Sequence, residues 1–334
     1  MCKKKTFIIA EAGVNHNGSL KIAKKLVNAA KKCGADYIKF QTFNPKLITT
    51  SQSNIAPYQK KIRLGETKQI RMLQKLSLSN DDFSKLYLHC KKKKIKFLSS
   101  PFDLESIKFL KDKTKMDYYK IPSGEITNYP YLKYLGKLNK KILLSTGMAE
   151  LSEINFAIKL LVKNGTKKNN ITILHCISDY PTKIENVNLN FIYTLKKISK
   201  NVGFSDHTLG TQSAVLAVAL KANIIEKHFT LNKKMKGPDH SMSLNVNEFK
   251  NFVKNIKDTE LILGKDKKIL TKGEKILKKF ARKSLIAKTN IKKNEKFSEL
   301  NLTTKRPGNG KSPILWNSII GKKAKKNYKK DEKI

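Results

Sequence analysis

Eight short runs rich in β-branched and aromatic residues recur along the chain. They are Thr6–Ala10, Asp36–Gln41, Ile95–Ser99, Tyr118–Pro122, Lys141–Ser145, Ile171–Ile177, Val202–Ser205 and Ile224–Phe229. Most are separated by a stretch with helical spacing. Leu20, Ala23, Leu26, Val27 and Ala30 recur at three and four residues, as do Ile154, Ala157, Ile158, Leu161 and Val162. Asn80-Asp81, and Ser152 with Glu153 in the first turn, supply N-cap chemistry. Eight strands alternating with helices over roughly 260 residues predict an α/β chain folded as a (β/α)₈ TIM barrel. An open doubly wound sheet would carry a Gly-rich phosphate loop after its first strand. Glu11-Ala12-Gly13-Val14-Asn15-His16 is no such loop.

The 334 residues exceed what one hydrophobic core usually organises, so a second, small domain is expected. The reading divides the chain into a barrel over 1–263, a charged linker over 264–283 and a compact C-terminal domain over 284–334. In the last, Ser284–Ala287 and Leu300–Thr304 read as strands and Lys305–Gly310 as a turn. The polar stretch Thr42–Ser79, with Pro45, Pro57 and Gly65, is too long for a plain βα loop and reads as a lid-like insertion at the barrel mouth.

With 39% hydrophobic and 29% charged residues, low-complexity disorder, collagen and coiled coil are excluded. The longest apolar run, near Ala214–Leu220, is too short to span a bilayer, and Glu11 ends the apolar stretch after Lys3–Lys5 too early for a secretory signal. A cytoplasmic protein without a membrane partner is the expectation. Cys2, Cys33, Cys90 and Cys176 stand far apart with no paired spacing, which suits reduced thiols; Cys176 reads as a small core residue. The net charge of +44 raises the question of nucleic acid. The lysines are spread along the whole chain with no aromatic-interleaved stripe, so no specific nucleic-acid partner is expected. A positive field still helps to draw in an anionic substrate.

Chemistry in such barrels sits at the C-terminal strand ends. Glu11 follows strand one, Lys39 and Gln41 share a face of strand two, and Ser100 ends strand three. Lys120 and Ser123 end strand four, Ser145 strand five, and His175 to Tyr180 surround the end of strand six. Ser205, Asp206 and His207 close strand seven, while Glu226 and His228 alternate with apolar residues on strand eight. Any one of these can be a satisfied structural group, but all eight ends together point to a site. Two lysines among hydroxyls suit a phosphate or carboxylate. Two histidines on neighbouring ends can hold a divalent metal or be structural, and Glu11 is a candidate base.

The motifs Ile9-Ala10-Glu11-Ala12-Gly13-Val14-Asn15-His16-Asn17-Gly18, Lys39-Phe40-Gln41, Ser99-Ser100-Pro101-Phe102, Lys120-Ile121-Pro122-Ser123-Gly124-Glu125, Leu144-Ser145-Thr146-Gly147-Met148, Ser205-Asp206-His207-Thr208, Glu226-Lys227-His228-Phe229-Thr230 and Gly237-Pro238-Asp239-His240, in that order, resemble the sialic acid synthase family. Lys305-Arg306-Pro307-Gly308-Asn309-Gly310 resembles its C-terminal antifreeze-like (SAF, β-clip) domain. The first motif and Ile121–Asn128 look most like the N,N'-diacetyllegionaminate synthase branch; the N-acetylneuraminate synthase branch, using N-acetylmannosamine, is the alternative.

The resemblance implies a cytoplasmic transferase of carbohydrate biosynthesis. It would condense phosphoenolpyruvate with an open-chain N-acetylated mannose-type sugar and water, giving a nine-carbon ulosonic acid and phosphate by C–O cleavage. It further implies catalytic residues Glu11, His207 and His228, the two histidines binding Mn²⁺, with Mg²⁺ or Co²⁺ as other candidates. Lys39, Ser100, Lys120, Ser123, Ser145 and Ser205 would hold phosphate and carboxylate. Gln41, Tyr180 and Asp239 would meet the sugar, and Arg306 its N-acyl group from the partner of a domain-swapped homodimer. Ser100 stands where many members have Thr. Cys176–Thr182 departs from the usual Thr-Thr-Glu-Tyr-Pro-Ala, which leaves Ser178 and Asp179 unassigned. A Schiff-base aldolase built on Lys120 is a reading of a different class.

Overall fold

The computed structural model describes residues 6–55 and 67–334. It divides into two compact units, Met1–Gly264 and Lys265–Ile334. The first holds eight strands: β1 (Phe7–Gly13), β2 (Tyr37–Thr42), β3 (Lys96–Pro101), β4 (Tyr118–Ile121), β5 (Lys141–Ser145), β6 (Ile171–Cys176), β7 (Val202–Asp206) and β8 (Ile224–His228). All registered pairings are parallel, in the order β3-β2-β1-β8-β7-β6-β5-β4, and the end strands β3 and β4 lie against each other. The barrel expected from the alternation is therefore present. Each strand is followed by a helix: α1 (Leu20–Cys33), α2 (Asn80–Lys92), α3 (Leu104–Lys113), α4 (Tyr129–Lys137), α5 (Leu151–Lys163), α6 (Phe191–Ile198), α7 (Gln212–Ala219) and α8 (Val246–Ile262).

The period of two along each strand builds both cores. Ile9, Tyr37, Leu98, Leu143, Leu174 and Ile224 point inward and pack together in the lumen. Their neighbours Ile8, Ala10, Ile38, Phe40, Ile142, Leu144, Ile173, Phe204 and Ile225 face outward and pack on the helix layer through Ala23, Leu26, Val27, Ile154, Leu161, Phe249 and Phe252. Gly203 supplies the inward position of β7, where a Cβ would stand 2.6 Å from both Leu174 Cδ2 and Ile224 O. Two residues further along each strand, the same inward face carries Glu11, Lys39, Ser100, Lys120, Ser145, Cys176, Ser205 and Glu226. The lumen thus changes from an apolar plug to a polar floor within one pleat.

Local boundaries shift where side chains cap differently from expectation. Ser79 rather than Asn80-Asp81 caps α2, in a capping box with Asp82, and Glu150 rather than Ser152 caps α5, paired with Glu153. β1 runs three residues beyond Ala10 because its register with β2 shifts between Glu11 and Gly13, Gly13 adopting φ 51°. Of the Thr42–Ser79 insertion, Pro45–Ile48 and Gln69–Leu76 are helical. Phe43, Ile55, Met72 and Leu76 form a small core with Val14 from the end of β1. Pro57, Gly65 and Cys2 lie outside the described residues.

In the second unit β9 (Ser284–Ala287) pairs antiparallel with β10 (Leu302–Lys305). Leu285, Ala287, Ile291, Phe297, Leu302, Ala324, Tyr328 and Ile334 form its core. The stretch 264–283, read from its charge as a linker, contains a helix, α9 (Lys272–Ala281), started by a Thr271–Glu274 capping box. Its end is fastened to the Arg306–Gly308 turn: Gly308 N donates to Lys279 O at 2.8 Å and Arg306 Nε to Ala281 O at 3.0 Å. No helix among the described residues is long and apolar enough to cross a membrane, and Cys33, Cys90 and Cys176 are unpaired thiols.

Candidate active site

The polar floor is a buried charge network. Lys39 Nζ lies 2.7 Å from Glu11 Oε2 and 3.7 Å from Glu226 Oε2, and donates to Ser100 Oγ at 3.1 Å. Lys120 Nζ lies 3.6 Å from Glu226 Oε1, which also accepts from Ser205 Oγ at 2.9 Å. Burial pushes the Glu226 carboxyl up, but the two ammonium groups outweigh it and hold the acid below its usual range. For Glu11 burial wins over Lys39 and raises it. Burial lowers Lys120, whereas Glu11 and Glu226 overcome the same penalty and raise Lys39. Glu226 is thus the counter-charge that keeps two buried lysines together at one place. Ser145 Oγ is buried without a hydrogen-bond partner, and Ser123 Oγ accepts from the Gly147 N–H at 3.0 Å. Two lysines and several hydroxyls on one buried floor have the chemistry to receive a phosphate or carboxylate.

Above the floor stand the two histidines, their ring centroids 5.5 Å apart. His207 Nδ1 lies 2.6 Å from Ile177 O. A carbonyl only accepts, so Nδ1 carries a proton and donates it to Ile177 O, which turns Nε2 away from that carbonyl. His228 is held neutral by burial and by His207 and Lys39, and its buried Nδ1 has no hydrogen-bond partner, lying 3.9 Å from Asp239 Oδ2. Burial raises the Asp239 carboxyl to about 6, with His207 and Lys39 opposing. Burial works against a charge on His207, but the Cys176 sulfur and the Ile177 carbonyl outweigh it and raise that imidazole. Two imidazoles at neighbouring strand ends fit an open ion site rather than a closed cage. Among the described residues no cluster of three or more His, Cys, Asp or Glu side chains could hold a metal ion.

A cavity of about 110 Å³ opens beside them, lined by Gln41, Tyr180, His228 and Asp239 and, from the insertion, by Met72 and Leu76. The Tyr180 ring lies against His207 at 4.3 Å between centroids. Glu11, Gln41 and Asp239 converge over Gly13, where a Cβ would stand 3.2 Å from Glu11 Oε1 and 3.5 Å from Asp239 Oδ2. The loop bearing Asp239 is clasped to the end of β1. Asn15 Nδ2 donates to Phe229 O and Ser243 Oγ, Asn17 Nδ2 donates to Lys236 O, and His240 bridges Thr230 Oγ1 at 2.7 Å and Asn17 Oδ1 at 3.2 Å. This gives the Asn15-His16-Asn17 and Gly237–His240 motifs a structural role.

The structure therefore gathers Glu11, Lys39, Gln41, Ser100, Lys120, Ser123, Ser145, Tyr180, Ser205, His207, His228 and Asp239 at one end of the barrel. Arg306 belongs to the second unit, on its surface. Glu226, read from the sequence on strand eight beside His228 but given no part in the chemistry, is the hub of the floor. Cys176, read as a small core residue, is buried on the inward face, its Sγ 3.8 Å from both His207 Nδ1 and Ser123 Oγ. Its two-residue spacing from the inward Leu174 was the available signal.

The profile of the NeuB family matches residues 26–268, and that of the SAF domain residues 282–334. The chain belongs to the NeuB family. It is 51% identical over 332 residues to the N,N'-diacetyllegionaminic acid synthase of Campylobacter jejuni, covering 99% of both chains. It is 40% identical to the enzyme of that name from Legionella pneumophila, covering 96% of this chain and 91% of that one. Among solved structures, the N-acetylneuraminic acid synthetase of Leptospira borgpetersenii, bound to citrate, superposes with a TM-score of 0.70 at 32% identity, over 82% of this chain and 90% of that one. In this NeuB-family chain the expected barrel and SAF domain are thus both present.

Proposed function

We propose that the protein condenses phosphoenolpyruvate with 2,4-diacetamido-2,4,6-trideoxymannose and water, releasing phosphate and N,N'-diacetyllegionaminate. The observation that carries the chemistry is the buried Lys39–Glu226–Lys120 floor beneath the paired imidazoles of His207 and His228. The choice of sugar rests on the 51% identity to the Campylobacter synthase. Phosphoenolpyruvate carries its phosphate and carboxylate onto the floor, where Lys39 and Lys120 supply charge and Ser100, Ser123, Ser145 and Ser205 supply hydroxyl donors. Glu226 keeps both lysines cationic and aimed. The sugar's aldehyde lies at the level of His207 and His228, with Gln41, Tyr180 and Asp239 meeting its hydroxyls.

C3 of the enolpyruvate attacks the aldehyde carbon, and the aldehyde oxygen takes up a proton. Water adds at C2, and the C2–O bond breaks as phosphate leaves and the ketone forms. In this reading Glu11 takes the proton of that water, its carboxyl pushed up by burial and accepting from Gln41 Nε2 at 3.5 Å. His207 and His228 would hold a divalent ion, Mn²⁺ in this reading and Mg²⁺ or Co²⁺ as alternatives, supplying Lewis-acid polarisation of the aldehyde. Arg306, from the partner of a domain-swapped cytoplasmic homodimer, would donate to the N-acyl carbonyl.

Comparing kcat/KM for the two sugars tests the branch. The diacetamido sugar should be preferred, and a clear preference for N-acetylmannosamine would make the protein an N-acetylneuraminate synthase. The lowering of Lys120 by burial favours one other reading, a Schiff-base aldolase. Borohydride with pyruvate would then leave a covalent adduct on Lys120; the condensing enzyme leaves none.

A further inference from the structure

Two buried charges lie outside the lumen and take no direct part in the site. Asp206, on β7, and Lys227, on β8, are direct register partners, and their side chains are 0% and 1% exposed. Lys227 Nζ lies 2.8 Å from Asp206 Oδ2 and donates to Thr208 O at 2.5 Å. The other carboxylate oxygen, Asp206 Oδ1, accepts from Thr208 N at 2.9 Å and Thr208 Oγ1 at 2.7 Å. Asp206, Thr208 and Lys227 therefore close a ring of hydrogen bonds. His207 is the residue enclosed by that ring, and His228 is the residue that follows Lys227. The Thr182 N–H additionally pins His207 O at 2.9 Å.

A buried ion pair contributes little net stability compared with apolar residues of similar volume, because desolvation offsets the attraction. What such a pair does supply is a fixed geometry, since neither charge tolerates leaving its partner. Here the geometry fixed is that of two strand ends. We propose that the Asp206–Thr208–Lys227 ring is a positioning device that sets His207 and His228 in mutual register, so that a single ammonium group indexes both imidazoles for one divalent ion. The inference rests on the reading that the two histidines hold that ion. The ring acts from the outward face of the barrel and touches neither substrate nor ion.

The test is calorimetric titration of the metal-free, full-length protein with MnCl₂, beside circular dichroism and a thermal melt. The double variant Asp206→Leu/Lys227→Met removes both charges and leaves no unpaired buried ion. It should keep the parent's circular dichroism and a cooperative melt while binding Mn²⁺ on the order of 10–100-fold more weakly. A merely structural role would move the melt and leave the affinity alone, so a folded double variant with the parent's Kd overturns the proposal. If the double variant does not fold, Thr208→Val, which deletes the hydroxyl that donates to Asp206 Oδ1 and accepts from Lys227 Nζ but leaves both charges in place, decides instead. Several-fold weaker Mn²⁺ binding supports the ring, and unchanged binding overturns it. The parent and His207→Ala proteins separate the two readings. No Mn²⁺ uptake by the parent, or uptake undiminished in His207→Ala, sinks the ion site itself and the proposal with it.

Discussion

At the scale of single residues, the site is a set of groups whose ordinary ionisation has been reassigned by burial. His228 is the clearest case, since burial and its neighbours hold it neutral with one nitrogen unpartnered. That is the state in which imidazole binds a metal ion rather than a proton. A chelator should therefore abolish turnover reversibly, and the His207→Ala/His228→Ala protein should remain inactive after Mn²⁺ is restored. Full activity of that protein in excess chelator would refute the metal role. The inward residues were legible in the sequence because a two-residue period, once anchored by Glu11 and Lys39, marks which side chains share a face. Glu226 and Cys176 were harder to assign. A parallel strand is buried on both faces, so nothing in its composition separates a lumen position from one against the helices. That Glu226 sits between two lysines follows only when β8 closes beside β1, itself next to β2, and faces β4 across the lumen.

At the scale of elements, polar side chains at loop roots do the work of holding the mouth in shape. His16 and His240 are buried and held neutral, each lowered by burial to about 4 from an ordinary 6.5, with His240 adding to the effect on His16. A base depressed in the folded state contributes stability that is present above pH 6.5 and is lost as pH falls toward 4. The melting temperature should fall across that window, and more shallowly in His240→Gln, which cannot gain the proton. An identical slope in parent and variant would show that His240 carries none of the effect. Strand existence was readable from pattern alone, and Lys141–Ser145 and Ser284–Ala287 coincide with the observed strands. Helix starts were displaced by one or two residues, since Ser79 and Glu150 each complete a capping box that Asn80-Asp81 and Ser152 do not. Helix α9 was hidden by its charge: its lysines obscure a ten-residue helix that begins on an ordinary Thr-x-x-Glu box.

At the scale of the whole molecule, the proposed role of Arg306 toward the N-acyl group is open to direct test. Arg306 Nε is engaged with Ala281 O, so the rest of its guanidinium is the group proposed to reach the N-acyl carbonyl. Arg306→Ala should raise the KM for the sugar far more than that for phosphoenolpyruvate, by about 1.5–3 kcal/mol of charge-assisted hydrogen bonding. If the domain serves the partner's barrel, mixing Arg306→Ala with His207→Ala protein and allowing subunit exchange should restore activity, because one mixed site is then intact. No recovery would mean that each domain serves its own barrel. The excess of 70 basic over 26 acidic residues adds a long-range field that favours capture of an anion and falls off with salt. All of this depends on one reaction. The direct measurement is inorganic phosphate released from phosphoenolpyruvate in the presence and absence of 2,4-diacetamido-2,4,6-trideoxymannose. One phosphate should appear per sugar consumed, and none without sugar. Phosphate release independent of the sugar, or none with either sugar, would contradict the proposed reaction.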